Sequence, residues 1–255
     1  MPRLPTALRL DRLLANLGYG TRREIAAACR AGAVRLQGEV VADADRIIAL
    51  DLVRSGALAW SGEPVDPPAP LTLMLNKPAG YTCSRQDPGG LVYDLLPYRW
   101  RARKPALATV GRLDKDSTGQ LLLTDDGALL HRIIHPRHHA PRHYRVELSE
   151  PLRGDEAALF ATGTFLLKGE DRPLRPAIWT AESERSGVMI VSEGRYHQIR
   201  RMFAALGNRV VALHRFRTGD LELGDLGAGQ YRILDPEEIA AIFGPPAGHH
   251  PEDGS

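Results

Sequence analysis

Cysteine is scarce in this chain of 255 residues: Cys29 and Cys83 are the only two, and their contexts are unrelated. That excludes a disulfide framework and a cysteine-rich zinc site, and it fits a reducing cytoplasm. No apolar run approaches the roughly 20 residues that span a bilayer, so no membrane attachment is expected. The first seven residues carry two prolines and one arginine and no apolar core, so no signal peptide is expected there. No internal repeat recurs. What remains is 43% apolar and 25% charged, ordinary for a soluble globular protein with one large domain or two smaller ones.

The net charge of +2 hides an asymmetry. Residues 1–60 carry nine arginines against six acids, and His131 to Arg145 holds four arginines, five histidines and no acid. From Glu237 on there are four acids and no base. A near-neutral total with local basic patches suits a protein that holds a polyanion on one side. Arginine outnumbers lysine throughout, so composition bias is an alternative source of the patches.

Residues 8–50 read as a small unit. Leu10, Leu13, Leu14 and Leu17 recur at helical spacing until Gly18-Tyr19-Gly20 breaks the pattern. Thr21 stands three residues before Glu24, a capping-box signature opening a second helix that Gly32 ends. Val34 to Leu36, the turn Gln37-Gly38 and Glu39 to Val41 read as a hairpin. Arginines on a helix's first turn, beside its free backbone N–H groups, suit phosphate contacts; a solvated helical face is the other reading.

Ser61 to Pro70 contains four prolines, so it is neither helix nor central strand and marks a domain boundary. Beyond it, strands are expected at Leu71–Leu75, Leu121–Thr124, Tyr144–Leu148, Val188–Val191, Val210–Leu213 and Tyr231–Leu234. One helix is expected through Leu129–Ile134 and another after the cap Asp235-Pro236-Glu237-Glu238. Strands and helices mix without βαβ regularity, which predicts an α+β fold around a mostly antiparallel sheet. Residues 244–255 read as a disordered tail.

The sharpest segment is Gly111-Arg112-Leu113-Asp114-Lys115-Asp116-Ser117-Thr118-Gly119, just before the Leu121 strand. In extended backbone an Arg and an Asp two apart both face a cleft, and loops on a rigid scaffold concentrate catalytic groups. Read alone, the segment also fits a surface turn with helix-capping aspartates. Further on, Ile199, Met202, Phe203 and Leu206 fall at i, i+3, i+4 and i+7, one buried helical face that leaves Arg200 and Arg201 beside it.

The N-terminal pattern resembles the S4 RNA-binding domain. GRLDKDSTGQLLLTDDG resembles the active-site motif of the RsuA family of pseudouridine synthases. LMLNKPAGYTCS, HPRHHAPRHYRVEL, EGRYHQIRRMFAALGNRVVALHR and LGAGQYRILDPEEI are similar to that family's other segments, in order. The resemblance implies an S4-like RNA-binding domain at residues 8–60, a proline-rich linker at 61–70 and a two-lobed, mixed-sheet catalytic domain at 71–243. It implies a reaction without metal, nucleotide or redox cofactor. Asp114 is then the catalytic carboxylate, as nucleophile or as base at the ribose, and Asp116 is not in the motif's position. Arg112 is placed next to a flipped-out nucleotide and Tyr144 against the target base. Arg200 pairs with the aspartate to keep it ionised, and Leu213 packs beneath the site. The family's usual Lys-x-Tyr is here Arg142-His143-Tyr144, which keeps the charge. RNA contacts are expected from Arg12, Thr21, Arg22, Arg23, Arg30, Arg142 and His197, although a structural role for His197 is equally open.

EGRYHQIRRMF together with YTCS resembles the small-subunit branch of the family, which implies small-subunit ribosomal RNA as the partner, at uridine 516 of the 16S molecule; the protein is expected to act as a cytoplasmic monomer. The histidines between His131 and His143 read as an RNA-facing basic surface rather than a metal site. Three other readings stand beside this: a paralogue acting on large-subunit RNA, a non-catalytic assembly protein, and an aspartate hydrolase using Asp114 and Asp116.

Overall fold

The computed structural model describes residues 5–135 and 140–244. The chain forms two compact units. The first runs to Leu71 and takes in Leu96–Ala108 and Thr124–Asp126; the second holds Thr72–Leu95, Thr109–Leu123 and the chain from Gly127 onward.

The chain begins with β1 (Ala7–Arg9), α1 (Leu10–Asn16), α2 (Arg22–Arg30), β2 (Val34–Leu36), β3 (Glu39–Val40), β4 (Ile47–Ala49), α3 (Leu50–Arg54), β5 (Leu58–Trp60) and β6 (Glu63–Pro64). The two helices and the β2–β3 hairpin are those expected. At the start of α2, Thr21 Oγ1 accepts from the Glu24 N–H while the Glu24 carboxylate accepts from the Thr21 N–H, the reciprocal arrangement that satisfies two orphan donors. Leu10, Leu13, Leu14 and Leu17 are buried with Ile25, Cys29, Val34, Ile48, Val53 and Leu58 in one core. β1 pairs antiparallel with β4, and a second sheet runs β3-β2-β5-β6. Pro64 sits in the edge strand β6, where a missing N–H is tolerated.

The distant segments join this unit through specific bonds. The Lys104 N–H donates to the Asn16 carbonyl (2.8 Å). Arg103 and Asp125 form a buried ion pair at 3.2 Å, and Arg103 also donates to the Pro67 carbonyl. Asp66 holds Arg99 through both carboxylate oxygens.

From Thr72 the elements are β7 (Thr72–Lys77), β8 (Tyr81–Thr82), β9 (Gly90–Leu91), β10 (Ala108–Thr109), β11 (Thr118–Thr124), α4 (Gly127–Ile134), β12 (Arg142–Leu148), α5 (Glu156–Ala161), β13 (Ile178–Ser183), β14 (Ser186–Val191), α6 (Gln198–Ala205), β15 (Val210–Thr218), β16 (Leu221–Glu222), β17 (Tyr231–Ile233) and α7 (Pro236–Ala241). Nine strands form one sheet with the path β13-β14-β12-β15-β11-β7-β17; β10 adds to β11 and β16 to β15. β12 is antiparallel to both β14 and β15, as β17 is to β7, whereas β11 runs parallel to β15. The sheet is mixed and mostly antiparallel, as the sequence pattern predicts.

On α6, Ile199, Met202 and Phe203 are buried and Leu206 is half-buried at the C-cap. Phe203 meets Phe160 and Trp179 edge-on, with ring centres 5.3 and 5.1 Å apart, the geometry aromatic quadrupoles favour. Asp235 caps α7 reciprocally with Glu238, with Pro236 in its first turn. Among the described residues no helix is long and apolar enough to cross a membrane.

Candidate active site

The loop between Gly111 and Ser117 is fixed from below. The Ser117 N–H donates to the Asp114 carbonyl (3.0 Å), which closes a turn around Lys115 and Asp116. Lys77, at the end of β7, is fully buried; its ammonium donates to the carbonyls of Pro78, Lys115 and Ser117 at 3.0, 3.0 and 2.7 Å. Burial pushes this amine below the ordinary lysine value, and charge from Cys83, Asp116 and Asp114 opposes that. The Gly80 N–H also donates to Lys115 (2.9 Å), and Cys83 Sγ exchanges 3.4 Å contacts with the Leu113 backbone. Burial raises the Cys83 thiol, so it is a neutral packing group. The segment 77–83 thus straps the backbone on both sides of Asp114.

The strand after the loop is held equally closely. A Cβ on Gly119, whose φ is +101°, would lie 2.1 Å from the Arg215 carbonyl oxygen. Only glycine lets β11 approach β15 there.

Asp114 presents its carboxylate to the first turn of α6. His197 Nε2 lies 3.3 Å from Oδ1, and Arg200 Nε lies 3.7 Å from Oδ2. The carboxylate keeps about a third of its surface open to solvent. His197 occupies the N-cap of α6 in the left-handed conformation (φ 49°, ψ 33°), which is uncommon outside glycine, and its ring stacks on Tyr196 at 3.9 Å. Arg200 Nη1 donates to the Val210 carbonyl (3.0 Å), so one guanidinium ties the carboxylate to the start of β15.

β12 also contributes to the cleft, through Arg142 and Tyr144. Alternation places Arg142 and Tyr144 on one side. His143 lies on the other, buried with its ring edge towards Phe216, and burial lowers its pKa. It is therefore not part of an RNA-facing surface. Leu213 and Arg215 share one face of β15. Arg215 is 4% exposed; its Nε donates to the Gln120 carbonyl (2.6 Å) and its Nη1 reaches the Tyr144 hydroxyl (3.5 Å).

These groups enclose a cleft of about 450 Å³ within the second unit, large enough for a nucleotide by the usual range of ligand sites. Arg112, Asp114, Arg142, Tyr144, His197 and Leu213 all line it, and Arg200 abuts it through Asp114. Arg12, Thr21, Arg22, Arg23 and Arg30 are elsewhere, on the first unit. Arg12, Arg23 and Arg30 are exposed; Arg22 is held by Asp11 (2.8 Å) and Thr21 by its own cap. Lys77 and Arg215 were not singled out by sequence pattern. Lys77 was visible as a lysine closing an apolar strand, and Arg215 as a cation two residues after Leu213. Among the described residues no group of three or more His, Cys, Asp or Glu is placed to hold a metal. Pro136 to His139, which include two of the clustered histidines, lie outside the described residues.

Residues 72–205 match the RNA pseudouridylate synthase family, and residues 8–53 match the S4 domain. The chain is 42% identical over 241 residues to ribosomal small subunit pseudouridine synthase A of Escherichia coli strain K12, covering 92% of this chain and all of that one. The chain belongs to the RNA pseudouridylate synthase family. The Haemophilus influenzae protein of the same name is 40% identical, covering 92% and 99% of the two chains. A solved pseudouridylate synthase structure is 38% identical with a TM-score of 0.64, covering 92% of this chain and 99% of that one. The family's match includes the Asp114 loop, β12 and α6, three of the elements that build the cleft, and the S4 match covers the helix pair and hairpin of the first unit.

Proposed function

We propose that this enzyme converts a uridine of small-subunit ribosomal RNA, uridine 516 of the 16S molecule, to pseudouridine, with Asp114 acting at ribose C1′. The observation that carries the reading is Asp114 itself: a carboxylate lining a nucleotide-sized cleft, oriented by His197 and Arg200, with Tyr144 lining the same cleft. The N1–C1′ bond breaks with its electron pair on the base. Asp114 either bonds to C1′ or takes a ribose proton and the base turns; C5 then bonds to C1′ as the Asp114–C1′ bond breaks or as Asp114 returns the proton to the ribose. C5 then loses a proton and N1 gains one, so every atom is conserved and no co-reactant is consumed. Tyr144 offers a stacking face for the flipped base, Arg112 stands at the cleft edge beside the extruded nucleotide, and Leu213 provides an apolar floor.

The names of the relatives support the small-subunit target. The exposed Arg12, Arg23 and Arg30 would hold phosphates and supply affinity rather than chemistry. In this reading residues 8–60 form the RNA-binding domain, 61–70 the linker and 71–243 the catalytic domain of a monomer. The test is to incubate the purified protein with unmodified small-subunit RNA, with its assembling particle and with large-subunit RNA, then map pseudouridine in each. Modification at one small-subunit position is expected. Modification of large-subunit RNA alone would refute the target, and none in any RNA would refute the activity.

A further inference from the structure

The cleft holds more positive charge than the pairing of Asp114 uses. Arg142 and Arg215 both line it, and neither has a carboxylate partner among the described residues. Among the described residues the Arg215 side chain donates to a carbonyl and a tyrosine hydroxyl. The Arg142 side chain makes no hydrogen bond or ion pair among the described residues, and its Nη1 would lie 2.9 Å from a Cβ on Gly194. The strands bring the two together: Tyr144 is the register partner of Arg215, and Arg142 precedes it by two residues on the same side of β12. Burial lowers Arg142 below the ordinary arginine value, the Tyr144 hydroxyl opposing and the Arg215 charge adding to the effect. Two like charges in a partly dry site are unfavourable until a counter-charge arrives.

We propose that Arg142 and Arg215 form an anion subsite that receives negative charge from the target nucleotide beside Tyr144. This rests on the reading of the cleft as a pseudouridine synthase site. The nucleotide offers two sources of that charge: a flanking phosphodiester, and the uracil anion formed when the N1–C1′ electron pair leaves with the base. In either case a preorganised cation without a carboxylate partner among the described residues is the group whose charge is not already neutralised.

The experiment compares the parent enzyme with Arg142→Met, Arg142→Lys, Arg215→Met, Arg215→Lys and Gly194→Ala. Gly194→Ala displaces the tip of the Arg142 side chain without removing its charge from the chain. Circular dichroism and thermal unfolding first establish which variants fold; Arg142→Met and Gly194→Ala leave every backbone hydrogen bond of the sheet in place, so they keep the test open if Arg215→Met does not fold. Each is assayed for RNA affinity and single-turnover pseudouridine formation, on substrate RNA and on RNA with a neutral methylphosphonate linkage on either side of the target uridine. The methionine variants are expected to lose about 10- to 100-fold, with lysine recovering much of it and Gly194→Ala falling between. If the source is the phosphodiester, the neutral linkage penalises the parent and adds nothing to the penalty of Arg142→Met. If it is the uracil anion, the two penalties multiply, and the loss lies in the single-turnover rate with affinity unchanged. Methionine variants that convert bound RNA at the parent rate overturn the subsite. So do lysine variants that lose as much as methionine, because shape rather than charge would then be at work. A parent enzyme that forms no pseudouridine fails the functional reading itself, before any variant is compared.

Discussion

Replacing Lys77 with methionine keeps the unbranched stem of the side chain and removes the charged end that holds the Asp114 loop. In the parent, one buried ammonium satisfies three carbonyls at 2.7 to 3.0 Å. Each bond to a charged donor contributes about 1.5–3 kcal/mol. Returning the ammonium to water on unfolding recovers several kcal/mol of hydration, which offsets much of that sum. The net loss is about 2–4 kcal/mol, and the abandoned Lys115 and Ser117 carbonyls then repel one another next to Asp114. For a protein of this size the melting temperature is expected to fall by about 5–15 °C. The single-turnover rate should fall about 100-fold at temperatures where the variant is folded, because a displacement on the order of 1 Å at the reacting carboxylate is enough. Thermal unfolding followed by circular dichroism, with pseudouridine formation measured in parallel, tests both. A Lys77→Met protein with the parent's melting temperature and rate would show that the strap does not position the loop.

Arg200→Ala is expected to leave the fold intact and lower the single-turnover rate about 10- to 100-fold; Arg200→Lys recovers only part of it, because one ammonium does not span both Asp114 and the Val210 carbonyl. Full activity in Arg200→Ala would dismiss the pair. Asp11, buried under Arg9 and Arg22, is lowered to about 2 from 3.8, chiefly by the Arg9 hydrogen bonds. Its contribution is therefore present above about pH 3.8 and lost as the pH falls through about 2. Asp11→Asn should cost roughly 1 kcal/mol in urea unfolding at pH 7, a small figure because both arginines are screened by solvent, and the gap to the parent should close between pH 4 and 2. A gap independent of pH would contradict the assignment. Gly119→Ala drives a Cβ into the Arg215 carbonyl in a left-handed backbone conformation, so it should yield little folded protein, destabilised by more than about 3 kcal/mol; a parent-like melting curve would refute that.

Much of this was legible in the chain because several signals are local. The Thr21–Glu24 and Asp235–Glu238 caps, the leucine spacing of α1 and the apolar face of α6 each lie within a few residues, and each is found where the pattern puts it. The α+β class followed from the irregular mixture of strands and helices. Other features depend on distant chain and left no local trace. β13 has only one buried residue among its six, so its alternation was too weak to read. The joining of Leu96–Ala108 to the first unit depends on bonds to Asn16 and Pro67 that no window of sequence contains. In the site, the motif residues could be named from the sequence, but their supports could not. Lys77 reads as the end of an apolar strand until its three carbonyl partners are known, and Arg215 reads as one of many arginines until it is found buried beneath Tyr144. His143 lies inside a basic run yet points away from the cleft, because strand alternation overrides charge clustering.

Whether Asp114 performs the chemistry is tested by one pair of variants. Asp114→Asn keeps the shape and removes the charge and the nucleophilic oxygen; Asp116→Asn makes the same change two residues away, on an exposed side chain. Pseudouridine formation on small-subunit RNA is measured for both, alongside RNA affinity. No detectable product is expected from Asp114→Asn, a loss of at least about 10²–10⁴-fold, with RNA still bound, and substantial activity from Asp116→Asn. Parent-like activity in Asp114→Asn would contradict the account, and loss of activity in Asp116→Asn alone would move the chemistry to the other aspartate.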